Sequence, residues 1–259
     1  MAHILNTQRV SMVTSQVGLV LALTLAWHYA ARMGVVDPGF IGSPAGVADR
    51  LWKWILDGSL VGHVISTLEI LLAGFLIGTV AGGALGAWIG LSPTAHDVVE
   101  PFLIFFNGMP RLILQPFFII WLGFGVASKV ALIVAVIIVL VAVGIANALK
   151  DIDRDLVANV RILGGNRRDM VWNVYLPSLT LAFVATSRTN IGFAFQAALV
   201  AEFVGTASGL GYLIVKGQNL FDIDTIWAAL VIVVALASFL DYLISRIEAR
   251  ATRWMPQAS

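Results

Sequence analysis

Residues 150–177 read KDIDRDLVANVRILGGNRRDMVWNVYLP, the one long polar island in a chain otherwise built of apolar runs. The island carries five of the sixteen basic residues (Lys150, Arg154, Arg161, Arg167, Arg168) and the acids Asp151, Asp153, Asp155 and Asp169. Loops this basic tend to stay on the cytoplasmic side of a membrane. Its interior is patterned. Asp155 is placed to cap a short helix on which Leu156, Val160 and Leu163 recur at spacings of four and three, giving an apolar face. Gly164 and Gly165 supply a left-handed helix end. Asn166 with Asp169 three residues on is a variant of the capping box and predicts a second helix over 166–174, before Pro177 opens the next hydrophobic segment. A helix–Gly-Gly–helix between two membrane spans is a knob suited to a partner's groove. The plainer alternative is an ordinary amphipathic loop.

Working outward, 59% hydrophobic and 12% charged residues exclude an ordinary soluble domain. Apolar runs of eighteen residues or more recur, each long enough to cross a hydrocarbon layer of about 30 Å. There are no cysteines, which excludes disulfides and thiol chemistry. The four histidines (His3, His28, His63, His96) do not cluster, so no metal site is expected. A net charge of +1 with no basic stripe gives no reason to expect nucleic acid. No Walker A loop, nucleophile elbow, HExxH or paired carboxylates occur, so no catalytic residues and no cofactor bound by this chain are expected.

Residues 17–36 form the first apolar run. A cleaved signal peptide competes with a retained anchor, and bulky Trp27, His28 and Tyr29 favour the anchor. After turn signals at Asp37-Pro38-Gly39 and Ser43-Pro44, Val47, Leu51, Trp54 and Ile55 recur at helical spacing, an interfacial amphipathic helix with Trp52 and Trp54 as belt residues. In the second run, 63–91, Gly74, Gly78, Gly82, Gly86 and Gly90 place five glycines on one helix face, where another helix can approach closely. The third region, 98–122, is interrupted at Pro101, Asn107-Gly108, Pro110 and Pro116. A fourth run covers 130–149. The fifth, 177–204, contains Arg188, Asn190, Gln196 and Glu202, a density of polar groups expected of a cavity wall. Arg188 either faces that cavity or is structural, snorkelling to one leaflet or pairing with Glu69. The sixth run is 226–244. Nine basic residues fall in segments assigned to the inner side and five near the outer, so the expectation is six spans with both termini cytoplasmic.

Three ordered segments carry a family resemblance. Gly164, nine residues, then Val174-x-Leu176-Pro177 resembles the signature loop of the membrane subunits of ABC importers, although Ala158-Asn159-Val160 stands where the family has Glu-Ala-Ala. Residues 109–129, MPRLILQPFFIIWLGFGVASK, and 202–214, EFVGTASGLGYLI, are similar to the branch that takes up nitrate, sulfonates, taurine and bicarbonate. The resemblance implies an all-α type I importer permease of six transmembrane helices in the bacterial inner membrane. Residues 1–62 would be an anchor and outer amphipathic segment, 63–247 the permease core, 150–177 its cytoplasmic coupling loop and 248–259 a cytoplasmic tail. It further implies a homodimer, two ATPase subunits holding ATP and Mg, and an extracytoplasmic solute-binding protein. Asp155, Ala158, Asn159, Val160, Arg161, Gly164, Gly165, Arg167, Leu176 and Pro177 would dock the ATPase. Arg188, Gln196, Arg111, Met109, Phe193 and Glu202 would line the path of a small anion. The alternative function is a secondary transporter or channel subunit without an ATPase.

Overall fold

The computed structural model describes residues 2–35, 37–152 and 154–251, and among these every regular element is helical. Helix α1 spans Ala2–Arg32, α2 Pro38–Ile41, α3 Pro44–Leu56, α4 Ser59–Leu91 and α5 Pro93–Gly108. A 3-10 turn, Arg111–Leu114, leads into α6, Gln115–Leu122, followed by α7, Val126–Lys150. Helices α8, Arg154–Ile162, and α9, Arg167–Met170, form the polar loop, and a π-helical turn, Val171–Tyr175, joins α9 to α10, Leu176–Ala201. Helices α11, Leu210–Asn219, and α12, Ile223–Ala251, complete the chain. Contacts divide it into two units: residues up to 62 with 213–232, and 63–212 with the chain from 233 onward.

In the first unit Ser43 caps α3 by accepting the Gly46 N–H at 3.0 Å, and Pro44 occupies the first turn, where no N–H is needed. Val47 turns inward and Leu51 and Trp54 are half-buried, but Ile55, expected on the same face, stays exposed with Trp52 and Leu56. The start of α12 grips the preceding turn. Asp224 accepts the Ser43 N–H at 2.7 Å, Trp227 donates to the Ile41 carbonyl at 2.9 Å, and Trp27 donates to the Gly42 carbonyl at 3.2 Å. Gly42 sits at φ +77° with Asp224 and Trp227 against it, so a side chain has neither the backbone conformation nor the room. Beside this clamp Arg50 pairs with Asp222, which also accepts from the Thr225 amide and hydroxyl. Burial works against the charge on Asp222, but the Thr225 hydrogen bonds and Arg50 outweigh it and hold the carboxyl below its usual range.

The second unit is built along α7, where Leu132, Ile133, Ile137 and Ala142 are fully buried. Helix α10 lies along α7 with its small residues Ala194, Ala197, Ala198 and Ala201 turned inward, which lets the two backbones approach. The glycine face of α4 meets α7 as the spacing predicts. A Cβ at Gly74 or Gly78 would lie 2.5 or 2.8 Å from the Cβ of Ile133 or Ile137, and one at Gly82 or Gly86 would lie 2.6 or 2.5 Å from the carbonyl oxygens of Ile138 and Ala142. Of the four interruptions expected in the third region, one breaks the helix. Pro101 is carried inside α5 and Pro116 sits in the first turn of α6, whereas α5 and the segment Arg111–Leu122 meet at 89°. The break falls at Met109 because Pro110 disfavours helical backbone in the residue before it, and Met109 is extended (φ −80°, ψ 135°).

Six spans are expected from sequence. Among the described residues α4, α7 and α12 are long and apolar enough to cross a membrane, and the bent pair makes a fourth if counted as one span. Length and composition alone do not reach six.

Candidate functional site

Two surfaces of the second unit bring the sequence-predicted site residues together. The first is the polar loop. Helix α8 begins at Arg154, two residues earlier than a cap at Asp155 requires, so Asp155 lies in the first turn, where its charge favours the helix N-terminus, rather than at the cap. The helix closes at Gly164, φ +80°, with the Leu163 and Gly165 amides donating to the Asn159 and Val160 carbonyls at 3.0 and 2.9 Å. A Cβ at Gly165 would lie 2.6 Å from Val160, so the second glycine is required by space. The capping box is reciprocal: Asn166 Oδ1 accepts the Arg168 and Asp169 amides at 2.8 and 3.1 Å, and Asp169 Oδ2 accepts the Asn166 amide at 2.9 Å.

The helix predicted over 166–174 is corrected in its second half. After α9 the chain widens into the π turn and enters α10 without leaving helical backbone. Pro177 falls in the first turn of α10, where it does not interrupt the run. Val174 is buried while Trp172 is 59% exposed, so the turn is anchored on one side only. The apolar face of α8 is also open: Leu156, Ile162 and Leu163 are exposed, with Val160 half-buried. Ala158 and Asn159 are exposed beside them. The side chains of Arg161 and Arg167 lie outside the described residues.

The second surface is one side of α10. Thr189, Gly192, Phe193 and Gln196 follow one another at spacings of three, one and three, and all are exposed, with Arg188 at the flank. Arg188 forms a two-point pair with Asp241 of α12: Nε donates to Oδ1 and Nη2 to Oδ2, the latter at 2.6 Å. Its partner is therefore Asp241 and not Glu69. Met109 and Arg111 lie at the break between α5 and the 3-10 turn. There Arg111 donates to the Val136 carbonyl of α7 at 2.9 Å and to Asn107 at 3.4 Å, fastening the bend.

Glu202, expected on the path, is placed elsewhere. It is 1% exposed and accepts from the Thr67 hydroxyl at 2.8 Å and from the Gly211 amide at 2.8 Å, while Thr67 accepts the Leu210 amide at 2.9 Å. Together Glu202 and Thr67 satisfy the first amides of α11 and tie them to α4, a framework role. Among the described residues no cluster could hold a metal ion.

Residues 74–253 match the family described as binding-protein-dependent transport system inner membrane component. The chain belongs to that family. A probable ABC transporter permease of Brucella abortus is 29% identical over 90% of this chain and 92% of its own length. The taurine transport system permease of Escherichia coli is 24% identical over 93% and 90%. The membrane subunit in an inward-facing crystal form of a methionine ABC transporter superposes with a TM-score of 0.68 at 21% identity, over 76% of this chain and 98% of that one. The fold is therefore that of the type I importer permeases. The permease is an inner-membrane transport subunit that works with ATPase and substrate-binding partners, and ATP hydrolysis resides on the separate subunits.

Two residues of the permease escaped the sequence reading. Asp241 carries its own signal, an acid inside an apolar run, but its pairing spans 53 positions. Thr67 carries none. A threonine in a membrane helix is ordinary, and only the fold brings Glu202 to it.

Proposed function

We propose that two copies of this permease, each with six spans and cytoplasmic termini, enclose the path of a small organic anion of the sulfonate class. A binding protein would deliver the solute on the outside. ATP and Mg would be held by two ATPase subunits docked on the α8–α9 loop, and none by this chain. The observation that carries the path is the uncovered side of α10. Polar and charged groups at membrane depth are costly against lipid, so Arg188, Thr189 and Gln196 are best accommodated facing a wet cavity. Phe193 would wall the path, with Met109 and Arg111 at its bend. The sulfonate class is supported by the taurine and aliphatic sulfonate permeases among the relatives. The exposed apolar residues of α8 and the exposed Trp172 suit a groove on the ATPase. ATP binding would draw the ATPases together and shift the spans between inward- and outward-open states, by no more than its differential affinity for the two.

Gentle extraction of the tagged permease from its native membrane tests this directly. An ATPase subunit in equal amount is expected, and a lone oligomer after crosslinking would instead indicate a channel or secondary transporter. Gly164→Trp sharpens the test. Position 164 has open space around it but needs a positive φ, so the variant should insert into the membrane, lose the ATPase and lose uptake. Normal uptake would refute the docking surface.

A further inference from the structure

The guanidinium of Arg188 has five N–H donors in a planar fork. Asp241 engages Nε and Nη2, and among the described residues nothing else bonds the group. Both side chains are about half exposed, at 54% and 46%. They border a pocket between α10 and α12 with Gly192, Phe195 and Leu240. Neither charge is enclosed as Glu202 is, and neither is needed to satisfy a backbone amide. A pair that only fastened two helices would be most effective when shielded, because an open pair is weakened by whatever polar medium reaches it.

We infer that Asp241 is a resident counter-anion, occupying the Arg188 fork when no solute is present and yielding it to the anionic group of the solute in transit. The argument rests on the α10 side lining the path. A planar carboxylate and a tetrahedral sulfonate can each set two oxygen acceptors of a delocalised negative charge against the guanidinium fork, the sulfonate with a third to spare. Exchange is favoured over simple addition, since a second anion beside an intact pair meets the full charge of Asp241 at contact distance. The arrangement has two uses. An empty path holds no uncompensated cation, so it does not trap stray anions. A solute must also release the fork when Asp241 returns, which keeps residence short, as transport requires. Asp241 thereby sets how weakly the path holds its anion.

The permease has no cysteine, so one thiol can be introduced without background in this subunit. A Cβ at Gly192 meets nothing within 4 Å, which makes Gly192→Cys sterically free. In the intact complex with its ATPase, the rate of labelling at position 192 is compared for two reagents, sulfonatoethyl methanethiosulfonate and its trimethylammonium counterpart. Methanesulfonate is expected to slow the sulfonate reagent. Asp241→Asn should raise the preference for the sulfonate reagent by about tenfold, the lower end of electrostatic focusing in a cleft. Labelling by both reagents with no response to methanesulfonate or to Asp241→Asn overturns the exchange and leaves the path intact. No labelling by either overturns the path itself. If Asp241→Asn does not accumulate, Arg188→Asp with Asp241→Arg replaces it. Restored protein with restored uptake would make the pair purely structural. Restored protein without uptake supports the exchange.

Discussion

Two acids, Glu202 and Asp241, meet opposite fates in this permease. Glu202 is shut away, and its oxygens are taken by the Thr67 hydroxyl of α4 and the Gly211 amide at the start of α11. Asp241 has a stronger partner in Arg188 yet stays half open, with no backbone group depending on it. The lesson concerns what a buried polar group is for. Where the chain supplies every partner, the group holds structure; where it supplies a charge and leaves the surface open, something outside the chain completes the site. Each variant below either breaks that distinction or narrows it.

The largest effect should come from Glu202→Leu. It strands the buried Gly211 amide and leaves the Thr67 hydroxyl only its 3.2 Å bond to the His63 carbonyl. Stranding a buried donor costs about 1–3 kcal/mol, and the lost packing of a fully enclosed side chain adds to it, so the purified variant should melt well below the parent or fail to accumulate. Glu202→Gln, which preserves the shape and one acceptor oxygen, should recover much of that. A melting temperature unchanged by Glu202→Leu would put Glu202 on the same footing as Asp241.

Next comes the closed side of α4. An alanine at Gly86 would drive its Cβ to 2.5 Å from the Ala142 carbonyl, a rigid backbone atom. Overpacking of this kind costs about 1–3 kcal/mol, read as a lower melting temperature. Gly83→Ala, three residues earlier in the helix, meets nothing within 4 Å and should be neutral or slightly stabilising. Equal losses at both positions would mean the seam is not the contact described.

The Arg50–Asp222 pair lies between the extremes, outside the spans and partly exposed. Its carboxyl is held below the usual range, so its contribution is present above the unfolded value of about 3.9 and is lost only as pH falls through the depressed folded value. Solvent screening keeps that contribution to about 1 kcal/mol or less. Acid titration of the melting temperature should show this small loss in the parent, beginning below about pH 4, and a smaller one in Asp222→Asn.

How much of this was legible beforehand follows physical lines. Features that depend on local spacing were readable: the glycines at every fourth position, the left-handed end at Gly164, the Asn166–Asp169 box. Their partners lie within a few residues or are dictated by a helical period. The break in the third region was half readable, because four signals competed, and a helix can carry Pro101 in its interior and Pro116 in its first turn as readily as it can end before Pro110. The two acids were not readable. Glu202 and Arg188 look alike as polar interruptions of one run, and what separates them is the arrival of Thr67 and Gly211 at one and of Asp241 at the other. Long-range pairing has no local signature, so the sequence reading grouped both on the path.

The smallest effect on stability should be at Gln196, and it is the most telling. Gln196 lies three residues beyond Phe193 on the exposed side of α10, and no hydrogen bond ties it to the described residues. If that side faces lipid, Gln196→Leu should help, because it removes a polar amide from hydrocarbon and leaves uptake untouched. If it lines the path, the variant should stay within about 0.5 kcal/mol of the parent, as exposed substitutions usually do, while uptake falls several-fold through loss of a polar contact with the passing solute. Melting temperature and uptake measured on the same preparation separate the two cases. A side chain that matters for transport and not for folding is what an open surface predicts and a closed one forbids.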